Sequence, residues 1–230
     1  MIFTKLVLIR HGESLWNQEN KFTGWTDVNL SKYGKKESKN AGKKLKNKKF
    51  IFDIAYTSML TRAIHTLWIL LYTLNTVWIP VKKTWRLNER HYGYLQGMNK
   101  DLAVKKYGIE KITRWRRGIN DLPPKINKND KRFPGNDKKY LNIDQNQLPL
   151  SESLLLTIKR IIPYWKEEIL PKIKNGSKVI IVAHGNSIRA LIKIIDNLNE
   201  ENILKLDIPT AKPLVYEFDN NIKVIKNYYI

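Results

Sequence analysis

Two stretches of this chain end an apolar run in the same way. Val7-Leu8-Ile9-Arg10-His11-Gly12-Glu13-Ser14 and Ile181-Val182-Ala183-His184-Gly185-Asn186-Ser187 both lead into His-Gly-x-Ser, and between them they use two of the four histidines. A histidine can serve as acid–base group, metal ligand or nucleophile. A zinc site needs three or four ligands, and the sequence has no HExxH and no compact His/Asp set. Serine hydrolase chemistry would ask for a GxSxG elbow, which is also missing. An imidazole nitrogen can itself attack phosphorus. Arg10 beside His11 and Arg62 after the next apolar run suit that chemistry, because a guanidinium clamps phosphate through paired N–H groups. The glycine after each histidine permits a tight turn and close approach of a ligand.

Such residues work only if the chain brings them together. Thr4–Ile9, Phe52–Thr57, Val77–Lys82, Lys178–Ala183 and Leu214–Asp219 read as strands, with Val224–Tyr228 pairing with the last. Ser31 can cap a helix to about Leu45. Further helices are expected over Leu60–Leu74, Asn99–Tyr107, Glu110–Arg117 and Ser187–Leu198. A long one from Ser151 is expected to kink at Pro163 and end near Pro171. Residues 15–30 read as loop. Residues 118–149, rich in proline and polar residues, form a second loop long enough to act as a lid. Strands alternating with helices predict an α/β fold, a three-layer α/β/α sandwich around a mostly parallel mixed sheet. Ligands in such sheets bind beyond the carboxyl ends of the strands, where His11 and His184 would meet. No repeat or clean linker divides the 230 residues, so they read as one catalytic domain.

Composition narrows the function further. The chain has no cysteine, which excludes a disulfide scaffold, thiolate metal sites and thiol catalysis. Its apolar runs are too short to span a bilayer, and no signal-peptide layout opens it, so a cytoplasmic protein is expected. Lys+Arg reach 42 against 21 acidic residues, for a net charge of +21. Basic charge alone could serve nucleic acid. The lysines are scattered over helix faces, though, and the accompanying asparagine and isoleucine richness points to codon bias. No stacking aromatics interleave a basic stripe. The same field steers smaller anions.

Beyond these features, Leu8-Ile9-Arg10-His11-Gly12-Glu13 resembles the signature of the histidine phosphatase superfamily. Phe22-Thr23-Gly24-Trp25, Arg62-Ala63-Ile64-His65-Thr66, Leu87-Asn88-Glu89-Arg90-His91-Tyr92-Gly93, Trp115-Arg116-Arg117-Gly118 and His184-Gly185-Asn186-Ser187 follow in order. Together they resemble the cofactor-dependent phosphoglycerate mutases over essentially the whole chain. Taken alone, Glu89 would read as a salt-bridged surface residue and Arg116-Arg117 as arginines that point apart on a helix.

The resemblance implies a role for each matching position. His11 would be the nucleophile, with its reactive nitrogen unprotonated and the proton of the other held by a backbone carbonyl. Arg10, Arg62, Asn17 and His184 would surround the transferring phosphoryl group, with His184 acting best when protonated, a form that a dianionic neighbour favours. Glu89 would move a proton on and off the substrate hydroxyl, a role that a carboxylate matches if partial burial raises it toward neutrality. Thr23 and Gly24 would hold the substrate carboxylate, and Tyr92, Lys100, Arg116 and Arg117 its distal phosphate. Ser14, Gly185 and Asn186 would line the pocket, leaving His65 and His91 to structure. The implied reaction interconverts 3- and 2-phosphoglycerate, primed by 2,3-bisphosphoglycerate and without a metal. The implied assembly is a homodimer, which the apolar run Leu67–Tyr72 also favours. Relatives carry a C-terminal extension over the active site. The sequence stops near where it would start, which predicts more hydrolysis relative to transfer. A plain phosphatase would need only the His11 core.

Overall fold

In the computed structural model, which describes residues 3–230, six strands form one sheet in the order β3-β2-β4-β1-β5-β6. They are β1 (Thr4–Arg10), β2 (Ile54–Thr57), β3 (Val81–Lys83), β4 (Val179–Ala183), β5 (Leu214–Phe218) and β6 (Val224–Tyr229). The β1–β4, β2–β4 and β2–β3 pairs are parallel, whereas β5 runs against both β1 and β6. The sheet is thus mixed and mostly parallel, with β5 alone reversed.

Central strands of such sheets are buried on both faces and read as continuous apolar runs. In β1, Leu6 and Leu8 face one layer and Val7 and Ile9 the other. In β4, Ile181 and Val182 divide in the same way. One outer layer holds α2 (Lys32–Asn47) and α3 (Thr61–Leu74), whose Leu45, Leu67, Leu70 and Leu71 cover Val7, Ile9 and Val182. The other holds α6 (Leu154–Tyr164), α7 (Leu170–Lys174) and α8 (Gly185–Asp196), with Ile158, Ile161, Ile173, Ile188 and Leu191 on Leu6, Leu8 and Ile181. This is the expected three-layer sandwich.

Several boundaries differ from the sequence reading. Within the expected loop 15–30, α1 (Leu15–Gln18) forms a single turn capped by Ser14. Strand β3 begins only at Val81, because Ile79 is tied back to Thr76 in a turn and Pro80 has no N–H to give a ladder. Pro163 lies inside α6, and the irregularity falls later, as a π-turn over Trp165–Ile169. That widened turn precedes Pro171, whose ring would otherwise meet the Glu167 carbonyl. The helix then runs on through α7 to Lys174.

Outside the sandwich, α4 (Lys100–Tyr107) and α5 (Ile109–Arg117) pack Ala103 and Ile112 on Phe22 and Leu95. The segment 118–149 is not an open lid. Three 3₁₀ turns order it, and Ile126, Phe133, Tyr140 and Leu148 close around Trp25. A short α9 (Glu200–Lys205) leads toward β5.

Candidate active site

The parallel pairing of Arg10 with Ala183 puts the next residues, His11 and His184, side by side at the carboxyl edge of the sheet. His11 donates its backbone N–H to the Ala183 carbonyl at 2.9 Å. The two rings meet edge to face with centroids 5.0 Å apart. Both side chains are buried.

The tautomer of His11 follows from its contacts. Nδ1 lies 2.6 Å from the Gly12 carbonyl, so it carries the hydrogen and donates. The lone pair is then on Nε2, 3.4 Å from Nε of Arg62. Burial, then Arg62 and Arg10, hold the His11 pKa well below its usual 6.5. The imidazole is therefore neutral at physiological pH, as a nucleophile must be. Close packing fixes this turn: a Cβ on Gly12 would overlap the Gly34 carbonyl, and one on Gly34 would overlap Glu13.

His184 lies 2.8 Å from the Ser58 hydroxyl through Nε2. Burial, then Arg62 and His11, push its pKa down as well. His184 is thus neutral in the resting site, where burial, three arginines and a second histidine oppose a further positive charge, and its expected protonation is left to the presence of a dianion.

The arginines are braced by backbone oxygens. Arg62 donates to the Gly24 carbonyl at 2.7 Å and the Thr26 carbonyl at 3.0 Å. Desolvation lowers it from 12.5 to about 10, which leaves it charged. Arg10 donates through Nη1 to the Ile208 carbonyl at 2.8 Å, while its buried Nε has no partner. Asn17 accepts from Ser14 through Oδ1, which leaves its amide N–H groups for the cavity. Ser14 itself is fully buried and does not line the cavity, contrary to expectation. It caps α1 and orients Asn17, the work that Ser-x-x-Asn spacing does at a helix start.

Glu89 accepts at Oε1 from the backbone N–H of Arg90 (2.9 Å) and of Asn186 (3.0 Å). The second donor belongs to the first turn of α8, whose dipole favours a carboxylate there. Asn186 also donates to the Tyr92 hydroxyl at 3.2 Å. Burial alone would raise the Tyr92 phenol, but Arg90 and the hydrogen bonds it receives hold it below its usual value.

Arg116 and Arg117 fall in the last turn of α5, which ends at Gly118. Both reach one cavity there despite being adjacent in sequence. The buried Arg90 donates to the Arg116 carbonyl at 2.5 Å, capping the helix end. Lys100 opens α4, where burial and Arg116 keep its pKa low.

One cavity of about 210 Å³ unites these groups. Every site residue expected from the sequence except Ser14 and His184 lines it, and His184 packs directly behind His11. Seven cationic side chains border it against two acidic ones, Glu89 and Asp207. Sequence reading missed Lys21, Phe22, Arg189, Asp207 and Ile208. Arg189 was within reach of it: one turn after Asn186 on α8, it donates to the Asn186 amide oxygen at 2.8 Å. Asp207 and Ile208 sit in no motif, and the Ile208 carbonyl braces Arg10. His65, which bonds Asn29, and the buried His91 stay outside the cavity.

A buried neutral imidazole ringed by fixed cations is built to take up a phosphoryl group. The family model described as histidine phosphatase superfamily (branch 1) matches residues 6–133 and 124–230. The chain belongs to the histidine phosphatase superfamily. Solved structures agree on the fold. The phosphoglycerate mutase from Bacillus anthracis is similar at a TM-score of 0.68 and 22% identity, over 99% of this chain and 91% of that one. A mycobacterial glucosyl-3-phosphoglycerate phosphatase gives 0.72 and 21%, over 98% and 96%. The alpha-ribazole phosphatase from Shigella flexneri gives 0.69 and 19%, over 96% and 94%. At these identities the likeness bears on the fold alone, so within the superfamily the choice of substrate rests on the cavity. Among the described residues, no helix is long and apolar enough to cross a membrane.

Proposed function

We propose that this histidine phosphatase is a phosphoglycerate mutase that interconverts 3- and 2-phosphoglycerate in the cytoplasm. The observation that carries the reading is the second cationic cluster. Hydrolysis of a monoester needs the His11 core alone. Here Lys100, Arg116, Arg117 and Arg189 border the same cavity as Arg10 and Arg62, which suits a ligand with phosphate at both ends. The unpartnered Nε–H of Arg10 fits an anionic oxygen. The residues therefore fit 2,3-bisphosphoglycerate, which when bound supplies the priming phosphoryl group.

His11 attacks phosphorus through Nε2 while Nδ1–H stays on the Gly12 carbonyl. Arg10, Arg62 and Asn17 donate to the equatorial oxygens, where charge accumulates. His184 can take a proton once a dianion offsets the neighbouring arginines. Glu89 gives a proton to the ester oxygen that leaves and takes one from the hydroxyl that attacks. Thr23 and Gly24 hold the carboxylate, and Tyr92 with the distal cations holds the other phosphate. The α3 face that carries Trp68 and Tyr72 supports assembly as a homodimer. The proposed reaction involves neither nucleic acid nor a membrane.

A coupled assay of 3- to 2-phosphoglycerate conversion, with and without 2,3-bisphosphoglycerate, tests the reading. Conversion that depends on the primer is expected. Release of inorganic phosphate without isomerisation would make the protein a phosphatase instead.

A further inference from the structure

The Glu89 carboxylate has a backbone that is held from outside the cavity. Its carbonyl receives two hydrogen bonds from buried side chains that touch no part of the pocket: Trp25 Nε1 at 2.6 Å and Arg160 Nη2 at 2.9 Å. Arg160 also donates to the carbonyls of Arg86 (2.5 Å) and Asn88 (2.9 Å), so one guanidinium holds the whole approach to Glu89. Its own orientation is fixed by Glu152, which accepts from Nε at 2.6 Å and from Nη2 at 3.1 Å. Glu152 continues the clamp on the far side, accepting from the His91 N–H at 2.8 Å and giving its own N–H to the His91 carbonyl at 2.7 Å. The Arg160 guanidinium lies 5.6 Å from the Trp25 ring, which joins the two donors into one unit.

A buried ion pair is a poor source of net stability compared with apolar packing of the same volume. A planar fork that meets the carbonyls of Arg86, Asn88 and Glu89 does something apolar packing cannot: it sets the direction of a peptide. We propose that Arg160, held by Glu152 and assisted by Trp25, is a positioning residue for Glu89. It keeps the carboxylate at the first turn of α8, where it can meet the ester oxygen. The inference rests on the proposed role of Glu89 as proton carrier. In that step the P–O bond breaks, a P–N bond to His11 Nε2 forms, and the departing oxygen takes the Glu89 proton. A misplaced Glu89 should therefore matter in proportion to how much the leaving oxygen needs that proton.

The test compares 2,3-bisphosphoglycerate, whose alkoxide leaving group needs protonation, with p-nitrophenyl phosphate, whose phenolate does not. Initial rates of His11 phosphorylation are measured for wild type, Glu89→Gln, Arg160→Lys and Trp25→Phe. Arg160→Lys keeps the charge but cannot span three carbonyls. Trp25→Phe leaves the ion pair intact and removes one N–H. Glu89→Gln should lose at least about 100-fold on the alkyl ester and little on the aryl one. The two positioning variants should lose about 10- to 100-fold on the alkyl ester only, the cost typical of a small misplacement. Equal losses on both esters, or none, beside a split in Glu89→Gln would overturn the positioning role. No split in Glu89→Gln itself would overturn the role of Glu89 and the inference with it.

Discussion

His11 and His184 lie edge to face, 5.0 Å between ring centroids, because β1 and β4 are parallel neighbours paired through Arg10 and Ala183. Neither ring is solvated, and His11 lowers the tendency of His184 to take a proton. The Gly12 carbonyl holds the hydrogen on His11 Nδ1, which leaves Nε2 free of hydrogen and beside the Arg62 guanidinium.

That geometry predicts where the phosphoryl group goes. Nδ1 is committed to the Gly12 carbonyl, so the covalent adduct forms on Nε2. Incubation with labelled 2,3-bisphosphoglycerate should mark the protein with a phosphoramidate, labile in acid and stable in base. His11→Ala should remain unlabelled. Equal labelling of the variant would remove His11 from its role.

The two histidines were readable from the sequence because both end apolar runs in the same pattern, and central parallel strands must align such ends. The distal cations came with the family resemblance, and their convergence is a matter of helix ends: Lys100 starts α4 and Arg116 and Arg117 finish α5. What supports Glu89 was not readable. Trp25 and Arg160 act on backbone carbonyls and Glu152 on Arg160 and the His91 N–H, and side chain to backbone bonds leave no periodicity in a sequence. The loop 118–149 misled for a related reason. Its apolar residues are few and irregularly spaced, yet they suffice to surround one tryptophan.

The far end of the cavity can be separated from the near end. Arg117→Ala and Lys100→Ala each remove a charged donor, whose hydrogen bond to an anion is worth about 1.5–3 kcal/mol. The KM for 3-phosphoglycerate should rise about 10- to 100-fold. Hydrolysis of p-nitrophenyl phosphate, which has nothing to place there, should change by less than about threefold. A parallel loss on both substrates would assign these residues to the fold or to the His11 centre.

Acid should destabilise the protein through its buried histidines. His91 is fully buried, and burial with help from Arg160 and Arg132 lowers it from 6.5 to about 3. Below 6.5 the unfolded chain binds a proton here that the folded chain refuses, so stability rises with pH across this range. The contribution is complete above about pH 6.5 and is lost as pH falls toward 3. His11 and His184 shift in the same direction. One such group contributes a slope of about 1.4 kcal/mol per pH unit. His91 accepts the Gly93 N–H at Nδ1, a contact a glutamine oxygen can replace. Denaturant unfolding of His91→Gln should therefore give a shallower decline between pH 6 and 4 than wild type. Identical slopes would exclude His91 as a source of acid lability.

The last prediction concerns the surface of α3. Its inner side buries Leu67, Leu70 and Leu71, which are half of the apolar run, and Leu74 beyond it. On the outside, Trp68 and Tyr72 are 53% and 78% exposed, and Val77 and Trp78 just beyond are 64% and 75% exposed. The spacing of Trp68 and Tyr72 puts them on one helix face. Aromatic side chains gathered in this way mark a contact surface, whereas single exposed ones do not. A second copy of the chain would cover them in the proposed homodimer. Light scattering should then show a dimer at micromolar concentration. Tyr72→Glu with Trp78→Glu would bury charge at the contact and should raise the dissociation constant at least about 100-fold. Neither residue lines the cavity, so His11 labelling should persist in the separated protomers. A wild-type monomer at that concentration would leave this face without a partner and refute the assembly.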